Sequence, residues 1–126
     1  MIVLDASALL AFLMRETGAD RVGEVLGAAV ISTVNLSEVF TRFVRDGRDT
    51  TALERGFQEE SVIETFDFIE TDAKEAAVLL AETRSRGLSF GDRACLALAR
   101  RLDLPAMTAD RAWNDVDCGV EIVCIR

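Results

Sequence analysis

The chain has 126 residues, and its 22 acidic and 14 basic side chains give a formal net charge of −8 at pH 7. This length fits a single domain spanning residues 1–126 and leaves no room for two. Histidine and tyrosine are absent, which excludes catalytic triads, histidine-based ribonuclease mechanisms and histidine-ligated zinc. The three cysteines form no C-x-x-C pair, so we expect neither a disulfide framework nor a thiolate metal site.

The acidic balance also restricts the partners of the chain. Lys74 is the single lysine, and every other basic residue is an arginine. To act on nucleic acid, such a chain needs bound divalent cations, a local arginine patch, or both, because its own acids repel phosphate. No apolar run reaches the roughly 18 residues of a membrane helix. Asp5 interrupts the first apolar run, so we expect no signal peptide and a cytoplasmic location.

The hydrophobic pattern predicts strands and helices in alternation. Short apolar or alternating segments predict strands at residues 2–4, 29–31, 63–68, 105–108 and 120–125. Capping residues and apolar faces predict helices at residues 7–14, 19–27, 35–47, 50–60, 73–86 and 89–102. A capping-box pattern opens the third helix at Asn35. This alternation indicates an α/β fold around a mostly parallel sheet.

Four acidic residues occupy positions where α/β proteins bind ligands. Asp5 and Asp110 directly follow the first and fourth predicted strands, while Glu38 and Asp92 lie at the starts of helices. Because ligands of open α/β sheets bind beyond the carboxyl ends of the strands, these carboxylates are candidate site residues. If the first and fourth strands are neighbours, about 4.8 Å apart, Asp5 and Asp110 can face each other.

Helix capping explains each acid equally well when it is taken alone. Asp5 and Asp110 can cap the helical segments that follow them. Glu38 can be the capping-box partner of Asn35, and Asp92 can complement the dipole of its helix.

A cluster of four acids, however, repels itself unless the acids are protonated or bind cations. Carboxylate oxygens suit Mg²⁺ or Mn²⁺. A metal of this kind supports phosphodiester hydrolysis without histidine, because it lowers the pKa of bound water and neutralises the scissile phosphate.

Four segments of the chain resemble the motifs of a known family. They are VLDASALL at 3–10, NLSEV at 35–39, SFGDRACLALA at 89–99 and TADRAW at 108–113. In this order and near this spacing, they resemble a PIN domain. More specifically, the whole chain resembles the toxin ribonucleases of VapBC toxin–antitoxin pairs.

The resemblance implies which residues form the site. The small hydroxyl residues of the first and last motifs fall on Ser7 and Thr108. Some members use a further acid, for which Asp115 is the best match and Asp117 a weaker one. The family's catalytic and metal-binding quartet falls on Asp5, Glu38, Asp92 and Asp110.

The resemblance also implies a fold, an activity and partners. The implied fold is a three-layer α/β sandwich with a mostly parallel five-stranded sheet in the order 3-2-1-4-5. The implied activity is that of a toxin endoribonuclease, dependent on Mg²⁺ or Mn²⁺, that cleaves structured RNA. The implied partners are a second copy of the chain and a VapB-type antitoxin. This antitoxin covers the apolar groove near the first helices, and the complex binds DNA only through it.

Two other classes of function remain open from the sequence. One is a PIN-fold interaction or regulatory domain that retains its acids without nuclease activity. The other is an aspartate-based phosphoryl-transfer domain, which in receiver domains needs a lysine at a strand end, whereas Lys74 lies in a predicted helix. Arg93 and Arg111 directly follow two of the acids and could reach phosphate, or could be solvated or ion-paired.

Overall fold

A computed structural model describes residues 1–59 and 62–126 of the chain. In these two ranges, five parallel strands form one sheet in the order β3-β2-β1-β4-β5. The strands are β1 (Ile2–Leu4), β2 (Ala29–Ser32), β3 (Glu64–Phe66), β4 (Ala106–Thr108) and β5 (Ile122–Cys124). Both the α/β class and the expected strand order are therefore confirmed, and β1 lies beside β4.

Six α-helices of the described residues connect the strands. They are α1 (Ala6–Leu13), α2 (Ala19–Val25), α3 (Thr33–Arg45), α4 (Thr51–Glu59), α5 (Glu70–Thr83) and α6 (Phe90–Leu102). Short 3-10 turns follow α2, α5 and β4, the last of them at Arg111–Asp115. The predicted end of the fourth helix at Glu60 lies outside the described residues. Within the described ranges, no helix is long and apolar enough to cross a membrane.

Two apolar layers sandwich the sheet because successive side chains of a strand point to opposite faces. On one face, Leu4 and Ile31 pack with buried residues of α1 to α4. On the other face, Val3 and Val30 pack with Leu79 of α5 and with α6. The three layers bring the carboxyl ends of β1 and β4, and the first turn of α6, to one edge of the molecule.

Helix starts are where the structure departs from the predictions. Asn35 is not an N-cap: α3 begins two residues earlier, because the Ser32 hydroxyl at the end of β2 accepts a hydrogen bond from Val34 N at 3.2 Å. Asp72 lies inside α5 and accepts a hydrogen bond from Ile69 N at 3.2 Å. In both cases the helix begins earlier than predicted and follows its strand more closely.

Candidate active site

Three of the four candidate acids meet in one cleft at the carboxyl edge of the sheet. The cleft has a volume of about 350 Å³. Its walls come from the end of β1, one side of α1, one side of α3 and the first turn of α6. It is lined by Asp5, Ala6, Ser7, Leu10, Ser37, Glu38, Thr41, Arg42, Arg45 and Asp92.

The Asp5 carboxylate is held by two hydroxyl groups. Backbone pairing of Asp5 N with Met107 O at 2.9 Å fixes the residue beside β4. Asp5 Oδ2 accepts hydrogen bonds from Ser7 Oγ at 2.6 Å and from Thr108 Oγ1 at 3.0 Å. Asp5 is the N-cap residue of α1, but its side chain makes no capping hydrogen bond and points into the hydroxyl network of the cleft instead.

The same two hydroxyls are fixed by backbone donors. Ser7 Oγ accepts a hydrogen bond from Ala109 N at 2.9 Å, and Thr108 Oγ1 accepts one from Asp110 N at 3.1 Å. Each hydroxyl hydrogen is thereby left for Asp5. This network explains why small hydroxyl residues stand at these two positions.

Asp5 is 3% exposed. Burial and, to a smaller extent, the charges of Asp92 and Glu38 raise the pKa of Asp5 to about 7 against the lowering effect of the Ser7 and Thr108 hydrogen bonds. The three carboxylates therefore repel one another across the cleft. The buried Cys95 thiol is also affected by these three carboxylates. Burial raises its pKa well above the ordinary value, and the charges of the three acids add to the increase.

Glu38 is positioned by two residues that do not ionise. Its Oε1 accepts a hydrogen bond from Asn35 Nδ2 at 2.8 Å, and the same amide donates to Gly91 O at 2.9 Å. A Cβ added at Gly91 would lie 2.5 Å from Glu38 Cδ, so only glycine leaves room for this carboxylate. Asn35 is fully buried and ties Glu38 on α3 to the first turn of α6. Burial raises the pKa of Glu38, and Asp92 adds to the increase.

Asp92 both caps the start of α6 and lines the acidic cleft. Its Oδ2 accepts a hydrogen bond from Ser89 N at 2.9 Å, and Ser89 Oγ accepts one from Asp92 N at 3.2 Å. The expected first-turn role is thus confirmed as a capping box. Burial nonetheless raises the pKa of Asp92, and Asp110 raises it further. The buried indole N–H of Trp113 makes no hydrogen bond of ordinary length within the described ranges, but it lies near enough to lower that pKa.

Asp110 lies outside the cleft, although it interacts electrostatically with Asp92. It is exposed, and its Oδ1 accepts a hydrogen bond from Ala112 N at 2.9 Å, which confirms the capping interpretation for this residue. β1 and β4 are neighbours, but among the charges that act on Asp5 are those of Asp92 and Glu38 rather than that of Asp110. The side chain that β4 presents to Asp5 is Thr108.

Other polar residues singled out from the sequence lie away from the cleft. Asp115 is exposed and pairs with Arg86 at 3.4 Å, and Asp117 is exposed as well. Arg93 donates to Ala76 O at 2.7 Å and lies over the Phe90 ring, so it serves the packing of α5 on α6.

The donor chemistry of the cleft suits a divalent cation. Carboxylate and hydroxyl oxygens converge on it, and a bound cation would favour the charged form of carboxylates whose pKa values are raised by burial and, to a smaller extent, by neighbouring acids. In their present positions, no three Asp, Glu or Cys side chains of residues 1–58 and 62–126 stand close enough together to hold a metal ion. Hydrogen bonds from Ser7, Asn35 and Ser89 hold the carboxylates in these positions.

Sequence reasoning missed several residues of the cleft. Asn35 was interpreted as a cap, and the signal against this was Ser32, a better N-cap directly at the strand end. Arg42 and Arg45 follow Glu38 by four and seven residues, a spacing that places all three on one side of a helix. Gly91 gave no signal, because its role depends on a side chain 53 positions earlier in the chain.

Comparisons with known proteins agree with this architecture. The sequence profile of the PIN domain matches residues 2–118. The fold is similar to that of a toxin–antitoxin complex from Klebsiella pneumoniae, with a TM-score of 0.74 and 18% identity, covering 100% of this chain and 98% of the other. A search of curated protein sequences finds no significant match.

Two further structures show the same fold. VapC20 from Mycobacterium tuberculosis, a toxin that cleaves the sarcin–ricin loop, has a TM-score of 0.73 and 16% identity, covering 96% of this chain and 99% of the other. VapBC2 from Rickettsia felis, bound to a promoter DNA fragment, has a TM-score of 0.72 and 16% identity, with 97% of each chain covered.

Proposed function

We propose that this chain, which belongs to the PIN domain family, is a divalent-metal-dependent endoribonuclease and the toxin of a VapBC-type pair. The observation that carries the proposal is the convergence of Asp5, Glu38 and Asp92 on one cleft, where burial and, to a smaller extent, neighbouring acids raise the pKa of each carboxylate. PIN domains are generally dependent on divalent metals. One structural neighbour, VapC20, is a toxin that cleaves an RNA loop.

The residues of the cleft have separate roles in this proposal. Asp5, Glu38 and Asp92 supply the oxygens that hold Mg²⁺ or Mn²⁺, with Asp110 contributing charge from beyond Asp92. When bound, the metal supplies a water of lowered pKa and neutralises the scissile phosphate. Ser7 and Thr108 position Asp5 at the cleft, and Asn35 positions Glu38. To share a metal ion, the carboxylates would move closer together than their present positions.

The sequence holds no histidine to act as general acid or base, so the proposed reaction is hydrolysis by a water molecule whose pKa the bound metal would lower. A water molecule attacks phosphorus in line, and the bond from phosphorus to the 3′ oxygen breaks. The products are a 5′-phosphate and a 3′-hydroxyl, with the departing oxygen taking a proton from solvent. Attack by the ribose 2′-hydroxyl would instead leave a 2′,3′-cyclic phosphate.

An apolar groove supports the proposed antitoxin partner. The groove has a volume of about 430 Å³, and α1, α3 and α4 contribute Leu13, Phe43, Leu53 and Phe57 to it. An amphipathic segment of a VapB-type protein would bury these side chains. By analogy with the DNA-bound VapBC2 complex from Rickettsia felis, DNA would be bound through that partner. A homodimer is part of the same proposal.

Expression in a bacterial host tests the proposal as a whole. The wild-type chain should arrest growth and fragment a subset of cellular RNA, and co-expression of the partner encoded by the neighbouring gene should relieve the arrest. The Asp92→Asn variant should neither arrest growth nor fragment RNA, although it accumulates to the same level as the wild-type chain. Equal growth effects from both forms would favour an interaction domain without nuclease activity.

A further inference from the structure

The cleft that holds the three carboxylates continues along α3 to two arginines. Glu38, Arg42 and Arg45 line the same cleft of about 350 Å³. Four and seven residues are about one and two turns of an α-helix, so these side chains share one side of α3. A rise of 1.5 Å per residue places Arg45 about 10 Å along the axis from Glu38. One wall of the cleft therefore changes from negative to positive over that distance.

These arginines differ from those that hold the fold together. Arg93 donates to Ala76 O, and Arg101 pairs with the buried Asp72 carboxylate at 2.9 Å. Arg45, in contrast, is exposed and forms no ion pair or hydrogen bond with any described residue. A ligand of this guanidinium would therefore displace no partner from the described part of the chain.

Arg42 has a partner, but a weak one. It pairs at 2.8 Å with Asp46 on the next turn, and the two side chains are 37% and 33% exposed. Exposed pairs of this kind contribute little, so a phosphate can displace the carboxylate. Both arginines also lie in the last turn of α3, where positive charge complements the helix dipole. The helix dipole accounts for positive charge at the end of α3, but it does not require that these two arginines line the acidic cleft.

We propose that Arg42 and Arg45 bind backbone phosphates of the RNA strand next to the scissile phosphate. This inference rests on the proposed ribonuclease function. Arginine matches phosphate with paired hydrogen bonds, and positive grooves guide single strands along their backbone. A chain of net charge −8 needs such a concentration of positive charge where the strand lies. Phosphate contacts position a substrate without reading its sequence.

Salt-dependent RNA binding tests the assignment. The probe is a fluorescein-labelled single-stranded RNA oligonucleotide of mixed sequence, and the protein is the full chain carrying Asp92→Asn to prevent cleavage. Arg42→Gln and Arg45→Gln are added singly. Arg55→Gln is the matched control, because Arg55 is an exposed arginine of α4 outside the cleft. Fluorescence anisotropy gives Kd over a series of salt concentrations, and melting curves show that each variant is folded.

Each cleft variant should weaken binding several-fold and reduce the slope of log Kd against log salt by about 0.7, the value for one lost contact to a single strand. Arg55→Gln should leave both the Kd for RNA and the slope of log Kd against log salt unchanged. In the cleaving chain, the cleft variants should raise KM more than they lower kcat.

The inference is overturned if the cleft variants and Arg55→Gln bind the RNA alike. It is also overturned if the cleft variants lose affinity only for the protein partner, since the wall would then be part of the protein interface. A wild-type chain that cleaves no RNA with either metal would contradict the proposed function instead. The binding series would still show whether this wall binds RNA.

Discussion

The Glu38 carboxylate lies directly against the Cα of Gly91, and no side chain fits between them. Gly91 immediately precedes Asp92 in α6, so this contact brings two acids from different helices to the same cleft. The Asn35 amide completes the arrangement by donating to both Glu38 Oε1 and Gly91 O. The geometry of the acids therefore depends on two residues without charge.

Replacing Gly91 with alanine should greatly lower the rate of RNA cleavage and leave the chain folded. The new Cβ would displace the Glu38 carboxylate. A misplacement of about 1 Å in a catalytic group lowers the rate roughly a hundredfold. Gly56→Ala is the matched control, because Gly56 is also helical and has open space around the added Cβ. That change should keep full activity and raise stability by about 1 kcal/mol. Measured kcat and melting temperatures of both variants check this, and a fully active Gly91→Ala enzyme would contradict it.

Asn35→Ala should weaken metal use as well as stability. Without the amide, Glu38 loses its positioning donor and Gly91 O loses its partner, which costs about 1–3 kcal/mol of folding free energy. Loss of such a supporting hydrogen bond costs about 10–100-fold in metal affinity or activity. The Mn²⁺ concentration for half-maximal rate should rise while KM for RNA stays the same. The exposed Asn114→Ala variant should behave as wild type; an unchanged Mn²⁺ requirement in Asn35→Ala would exclude the positioning role.

Two aspartates with the same helical role separate a metal site from ordinary capping. Asp92 in α6 and Asp72 in α5 both accept a hydrogen bond from the backbone N–H three residues earlier. Asp92 faces other acids, whereas Asp72 pairs with Arg101. In EDTA, Asp92→Asn should raise the melting temperature because it removes repulsion, and Asp72→Asn should lower it because it breaks an ion pair.

Added Mn²⁺ should distinguish the two variants further. At about 100 times its Kd, the metal adds about 2.7 kcal/mol to the stability of wild type and Asp72→Asn, a shift of several degrees. Asp92→Asn should gain much less. Equal Mn²⁺ shifts in all three proteins would remove Asp92 from the metal site.

The raised pKa of Asp5 predicts how stability depends on pH. The folded-state value of about 7 lies above the ordinary 3.8, so between these values the folded chain binds more protons than the unfolded chain. This contribution to stability is therefore fully present below about pH 4 and is lost as pH rises towards about 7. In EDTA, the melting temperature of Asp5→Asn should therefore rise relative to that of wild type as the pH increases from about 4 to about 7. A difference that stays constant with pH would contradict the raised pKa.

The sequence was sufficient for the order of the strands and helices and for four residues of the cleft, which are Asp5, Ser7, Glu38 and Asp92. Apolar runs such as Ile2–Leu4 and the acids that follow strands are local signals, and the structure contains them where they were predicted. Side-chain direction is not a local property. The Asn35 amide on α3 reaches the Gly91 carbonyl on α6, 56 residues away. Such partners are determined by how α3 packs on α6, which no single segment of sequence specifies.

Cleavage of RNA by the purified chain is the most direct test of the central claim that Asp5, Glu38 and Asp92 form a metal-dependent nuclease site. With Mg²⁺ or Mn²⁺ the wild-type chain should cut RNA and leave 5′-phosphate ends. EDTA should abolish cleavage, added metal should restore it, and Asp5→Asn should reduce the rate by several orders of magnitude. Full activity in EDTA, or fragments that end in a 2′,3′-cyclic phosphate, would contradict the claim.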